Sequence, residues 1–117
     1  MDTRQVIERH IAALLDGDVD AMMDTFAEDA VVLGGDGRPP LATRDEIREG
    51  CERLVQGLFA PGTYAFHLDS IATVGEVGLV TWHARCQGTD IPFAADSFVV
   101  RDGAIVSKTF AVVLQEV

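Results

Sequence analysis

Positive charge is scarce in this chain of 117 residues. Nine Lys and Arg stand against 19 Asp and Glu, a formal net charge of -10. A molecule that negative is repelled by phosphate backbones and anionic headgroups, so neither nucleic acid nor a membrane surface is an expected partner. No apolar run approaches the roughly 18 residues that a membrane span needs. The opening Met1-Asp2-Thr3-Arg4-Gln5 has no apolar signal core. There are only two cysteines, Cys51 and Cys86, without CxxC or Cys/His spacing. Structural zinc and a disulfide framework are therefore not indicated, and two buried thiols in a reducing cytoplasm are expected. No catalytic triad, phosphate loop, metal cluster, internal repeat or low-complexity tract is visible, so neither a metal nor a cofactor is expected.

The composition that remains, 48% hydrophobic and 24% charged, is that of a globular protein. The length suits a single domain over residues 1–117, burying about two-thirds of its unfolded surface. From about Thr3 to Leu15, Val6, Ile7, His10, Ile11 and Leu14 recur at helical spacing, and Asp16-Gly17 stops the helix. Asp18 is the N-cap of a short second helix with Val19, Met22, Met23 and Phe26 on its apolar side. Ala30-Val31-Val32-Leu33 reads as a short strand before the Gly34–Pro40 loop. Thr43-Arg44-Asp45-Glu46 has the capping-box pattern and opens a third helix, with Ile47, Cys51, Leu54, Val55 and Leu58 toward the core. The rest alternates as strands: about Tyr64 to Val74, Gly78 to Gln87, Ile91 to Arg101 and Ala104 to Gln115. Gly75-Glu76, Gly88-Thr89-Asp90 and Asp102-Gly103 are turn signals between them. Helices followed by tightly connected strands make an α+β chain: a cone-shaped, curved antiparallel β-sheet covered by three N-terminal helices and enclosing a pocket.

One acid is out of place in this pattern. Alternation puts Asp96 on the same strand face as Phe98 and Val100. A carboxylate there is costly unless it is paired, hydrogen-bonded or protonated. A proton-transfer site can exploit the cost, because desolvation raises the pKa toward the working pH. The competing reading is a cross-strand ion pair. With a three-residue Arg101-Asp102-Gly103 loop, Val100 opposes Ala104, Phe98 opposes Val106 and Asp96 opposes Lys108. A two-residue loop would instead oppose Lys108 to Ser97. His10 lies on an apolar helix face and reads first as a satisfied core histidine. Trp82 points inward with Val80, Ala84 and Cys86, while Thr81, His83 and Arg85 point outward. Met22, Met23, Phe26, Leu58 and Phe59 are core candidates, some of which could line a cavity.

The stretches His10–Leu14, Gly17–Ala21 with Phe26–Val31, Leu41–Ile47 and Asp96–Val106 resemble the nuclear transport factor 2-like superfamily, in its SnoaL-like and ketosteroid-isomerase-like branch. The resemblance covers nearly the whole chain, and it marks the fold more than the activity. It implies that Asp96 stands where isomerases hold a protonated aspartic acid and SnoaL-like cyclases an acid/base aspartate. His10 would stand at the isomerases' oxyanion-hole tyrosine. Their general base would fall at Gly34, which has no side chain; Asp36, two residues on, more simply caps the glycine-rich turn. The resemblance further implies a homodimer through the outer sheet face, which the alternation of Thr81, His83 and Arg85 with Ser107 and Thr109 would make polar. The expected activity is cofactor-independent acid/base chemistry on a small hydrophobic carbonyl or polyketide-like molecule. Asp96 and His10 would be catalytic, Trp82, Phe98, Phe110 and Phe26 would form the walls, and Lys108 would stabilise an enolate. The alternative is a non-catalytic ligand-binding or dimerisation module in which Asp96 and Lys108 neutralise each other.

Overall fold

The computed structural model describes residues 1–117. Helix α1 spans Thr3–Leu15, α2 Val19–Met23, strand β1 Phe26–Gly34, α3 Arg44–Gln56, β2 Ala65–Val74, β3 Val77–Cys86, β4 Thr89–Arg101 and β5 Ala104–Glu116. The caps form as the sequence leads one to expect. Asp18 accepts from the Ala21 N–H, and Thr43 and Glu46 close the capping box of α3. Asp2 and Gln5 make a second capping box at α1.

The five strands form one curved, unclosed sheet in the order β1-β5-β4-β3-β2. β2 to β5 are an antiparallel meander, but β1 joins the edge parallel to β5. The sheet is therefore mixed, because α3 carries the chain from β1 to the opposite edge. β1 is also longer than the expected Ala30–Leu33. Helix α2 stops at Met23, and the Ile105 N–H bonds the Thr25 carbonyl, so Phe26 begins the strand and does not extend the helix. Leu58 and Phe59 likewise fall after the Gly57 cap of α3.

β4 is flanked on both sides and yet contains Pro92, which has no N–H to give to a ladder. The register shifts between Asp90 and Phe93 against β5, and between Trp82 and Ala84 on β3. A bulge at the proline absorbs the missing donor. α1 and α3 pack on the concave face, and one apolar core lies between them and the sheet, from Val6 and Ile7 through Met22, Ile47 and Phe98 to Ile105. At Gly78 a Cβ would overlap Ile7 Cδ1, so the bare backbone there lets α1 approach β3 closely. The expected inward set of β3, Val80, Trp82, Ala84 and Cys86, is buried. Cys51 and Cys86 are buried free thiols. No helix is long and apolar enough to cross a membrane.

Candidate functional site

The β4–β5 hairpin sets which side chains meet on the concave face. Asp102 and Gly103 both have positive φ, 53° and 78°. That pair of conformations is the type I′ turn, which Asp-Gly favours. The loop is thus two residues long, with Arg101 opposite Ala104. A register shift follows at once: Val100 faces Ile105 while Val99 faces Ser107, which leaves Val106 as an extra residue. The bulge moves every later residue of β5 by one and so turns its faces over. Lys108 lands opposite Phe98, and Phe110 opposite Asp96. Neither loop considered from sequence yields this register. Lys108 becomes the diagonal neighbour of Asp96 on the inner face, not its direct partner.

Lys108 is the only lysine, and its ammonium engages a histidine. Nζ lies 3.0 Å from His10 Nε2, and His10 Nδ1 lies 2.9 Å from Thr25 Oγ1. Both His10 and Thr25 are buried. Phe26 and Phe98 hold the imidazole edge-on, with ring centroids 5.2 and 5.7 Å away. Burial, and then the Lys108 charge, push the His10 pKa well below that of an ordinary histidine, so the ring is neutral at neutral pH. All ion pairs of the molecule lie elsewhere. Asp96 Oδ1 is inaccessible and has no hydrogen-bond partner in the protein. Burial raises the Asp96 pKa above the usual carboxylate value, opposed by the Lys108 charge and then by the Trp82 indole.

These groups meet in a cleft of about 20 Å³. His10, Trp82, Asp96 and Lys108 supply its polar groups, and Ile11, Leu14, Phe66 and Val80 its apolar walls. That volume holds about one water molecule, so the cone encloses a narrow cleft and not a ligand-sized pocket. A wider groove of about 400 Å³ opens near Tyr64, Arg85 and Cys86, away from Asp96 and His10. No group of three or more His, Cys, Asp or Glu is arranged to hold a metal ion. Chemically, the cleft offers one acid with a raised pKa and one cation whose only hydrogen-bond partner is a neutral imidazole.

The SnoaL-like domain matches residues 7–108 of the sequence. The chain belongs to the SnoaL-like family. Its structure is similar to that of SalBIII, an epoxide hydrolase/cyclase-like enzyme in pyran ring formation in the polyether salinomycin. The two share 18% identity at a TM-score of 0.83, over 98% of this chain and 95% of that one. It is also similar to an LEH-like epoxide hydrolase of M. tuberculosis, with 17% identity, a TM-score of 0.73, and coverage of 93% of this chain and 80% of that one. A de novo designed protein with a curved β-sheet is just as alike in shape, with 14% identity, a TM-score of 0.78, and coverage of 95% and 84%. No functionally curated protein matches the chain. At these identities the likeness is one of fold.

Within this SnoaL-like frame, Asp96, His10, Trp82 and Lys108 line one cleft, in which His10 bonds Lys108 and not Asp96, and Asp96 and Lys108 form no ion pair. Both ring nitrogens of His10 are engaged by other residues. Phe26 and Phe98 back the imidazole and do not line the cleft. Phe110 abuts Gly34, where a Cβ would come within 2.6 Å of Phe110 Cζ. A phenyl ring thus fills the space that a side chain at Gly34 would need. Asp36 bonds the Arg38 N–H across the glycine-rich turn, as a cap should. Thr25, Ile11, Leu14 and Phe66 were not anticipated. Nothing in the sequence marks Thr25, because its pairing with His10 depends on how β1 follows α2.

The outer face is less polar than expected. Thr81, His83, Arg85, Ser107 and Thr109 lie on it, but Leu33, Leu79, Phe93 and Val113 are exposed there too, each at 43% or more. Period-2 alternation carries Leu79 outward with Thr81, and the bulge at Pro92 sends Phe93 out. His67 stacks on His83 at 4.7 Å, and Asp69, at the register shift of β2, bonds the His83 ring.

Proposed function

We propose that the chain is a cofactor-independent acid/base enzyme acting on a small hydrophobic carbonyl or polyketide-like molecule. The observation that carries this reading is Asp96, which lines the cleft with Lys108 and whose buried Oδ1 has no protein partner. As a carboxylate, Asp96 takes a proton from the carbon next to the carbonyl. The C–H electron pair moves into the new C=C bond, and charge builds on the carbonyl oxygen, where the Lys108 ammonium stabilises it. The carboxylic acid then returns its proton to another carbon or to an oxygen. Trp82 forms the wall beside the acid. His10 is neutral and serves as the acceptor that anchors Lys108. Substrate entry requires the rim formed by Ile11, Leu14 and Phe66 to part, since the closed cleft holds only about 20 Å³. Pyran ring formation, in which SalBIII has a role, and epoxide opening by the LEH-like hydrolase support reactions of the same acid/base class.

Exchange of α-protons in D2O, with cyclohexanone and cyclopentanone as probes, tests the reading by NMR. The protein is expected to accelerate exchange over buffer, and Asp96→Asn to lower the rate by about 10²- to 10⁴-fold. Acceleration unchanged in Asp96→Asn, or none at all with either ketone, counts against it. A non-catalytic ligand-binding or dimerisation module is the second reading, and the small cleft volume favours its dimerisation form.

The exposed apolar residues on the outer sheet face support a homodimer through that face, as a second copy presents the same patch. The free buried thiols support a reducing, cytoplasmic setting.

A further inference from the structure

The polar network behind the cleft has a direction. The Thr25 hydroxyl has a single proton, and Oγ1 donates it to the Met22 carbonyl at 2.6 Å. Toward His10, 2.9 Å away, the same oxygen can only accept. The neutral ring must therefore carry its proton on Nδ1, which leaves a lone pair on Nε2. Lys108 Nζ, 3.0 Å away, donates to that lone pair. The chain runs one way, from Lys108 to His10 to Thr25 to the backbone carbonyl of Met22.

We propose that Thr25 is a positioning residue. By fixing the His10 tautomer it holds the Lys108 ammonium on the ring and off Asp96, so that the carboxyl faces the cleft without an ion-pair partner. The alternative arrangement is within reach. Lys108 and Asp96 are diagonal neighbours on one face of the hairpin, close enough for a lysine side chain to span. The other groups near the ammonium are the Phe98 ring, 5.6 Å from Nζ to its centroid, and the Cys51 thiol, whose pKa burial pushes up. Neither competes with a carboxylate for a cation. Once Nε2 carries the proton, it repels the ammonium, and Asp96 becomes its best remaining partner. The chemical meaning of the device rests on the acid/base reading of Asp96, because an acid already paired with Lys108 would have a lowered pKa and would be a poor proton donor.

Two measurements decide the matter. Long-range ¹H–¹⁵N correlation of His10 in the unaltered protein at pH 7 is expected to show the neutral ring protonated on Nδ1. A ring protonated on Nε2, or an imidazolium, overturns the proposal. In Thr25→Val, which keeps the shape and removes the hydroxyl, the apparent pKa of Asp96 is expected to fall by about one unit or more as Lys108 swings across. Thr25→Ser should restore it. An Asp96 titration unchanged in Thr25→Val also overturns the proposal. If that variant does not fold, the tautomer measurement decides alone. Neither result depends on turnover: exchange activity surviving in Asp96→Asn would sink the enzyme reading and leave both measurements standing.

Discussion

A buried carboxyl oxygen without a hydrogen-bond partner destabilises the fold that contains it, and Asp96 Oδ1 is held in that state by its neighbours. Its raised pKa means that the folded protein binds a proton more tightly than the unfolded chain does. The stability contribution is therefore full below about pH 3.9 and is lost as pH rises through the folded value, with about 1.4 kcal/mol for every tenfold difference in proton affinity. Asp96→Asn should accordingly raise the denaturation midpoint at pH 7, even as it removes the chemistry; a lowered midpoint would mean that the carboxylate is a satisfied partner. His10 works in the opposite sense. Its pKa is depressed, so its contribution is present above about 6.5 and is lost as pH falls below it. Denaturation at pH 5 and pH 7 should show the protein weaker at pH 5, with the difference smaller in His10→Leu. An equal difference in both proteins would show that His10 is not the group responsible. Alternation alone marked Asp96 as anomalous, and helical spacing put His10 on the buried face. The partners of His10 escaped notice, because hydrogen bonds between residues 15 and 98 positions apart leave no trace in local sequence pattern.

Among the elements, the β4–β5 hairpin does most to shape the site. Its Asp102-Gly103 turn was visible in the sequence, yet the register that follows depends on the bulge at Val106, which has no local signature. One residue of slip exchanges the two faces of β5. Without the bulge Lys108 would face outward opposite Ser97; with it, a cation stands on the inner face beside an open acid. At the β1 edge, Gly34 and Phe110 form a matched pair across the parallel ladder. Gly34→Ala should cost about 1–3 kcal/mol through overlap with the ring. Adding Phe110→Leu should recover part of that loss, as a double-mutant cycle would measure. Equal costs in the two backgrounds would show that the ring does not occupy that space.

At the scale of the whole molecule, caps, periodicity and turns made the α+β class and nearly every element legible, and the SnoaL-like resemblance was carried by the same stretches. The parallel edge strand was not legible, because the place where β1 docks is decided by the α3 crossover and not by its own residues. Cleft volume was illegible too, since it depends on side-chain packing across several elements. The outer face, with Leu33, Leu79, Phe93 and Val113 exposed, should pair two copies. Sedimentation is expected to give a dimer that Phe93→Asp shifts toward monomer, and a monomer at all concentrations would refute it. The account as a whole turns on whether Asp96 is an open acid or half of an ion pair. An NMR titration of the Asp96 side-chain carboxyl tests this most directly. An apparent pKa above about 3.9 is the predicted result, and one well below it, the mark of a carboxylate paired with Lys108, would contradict the account.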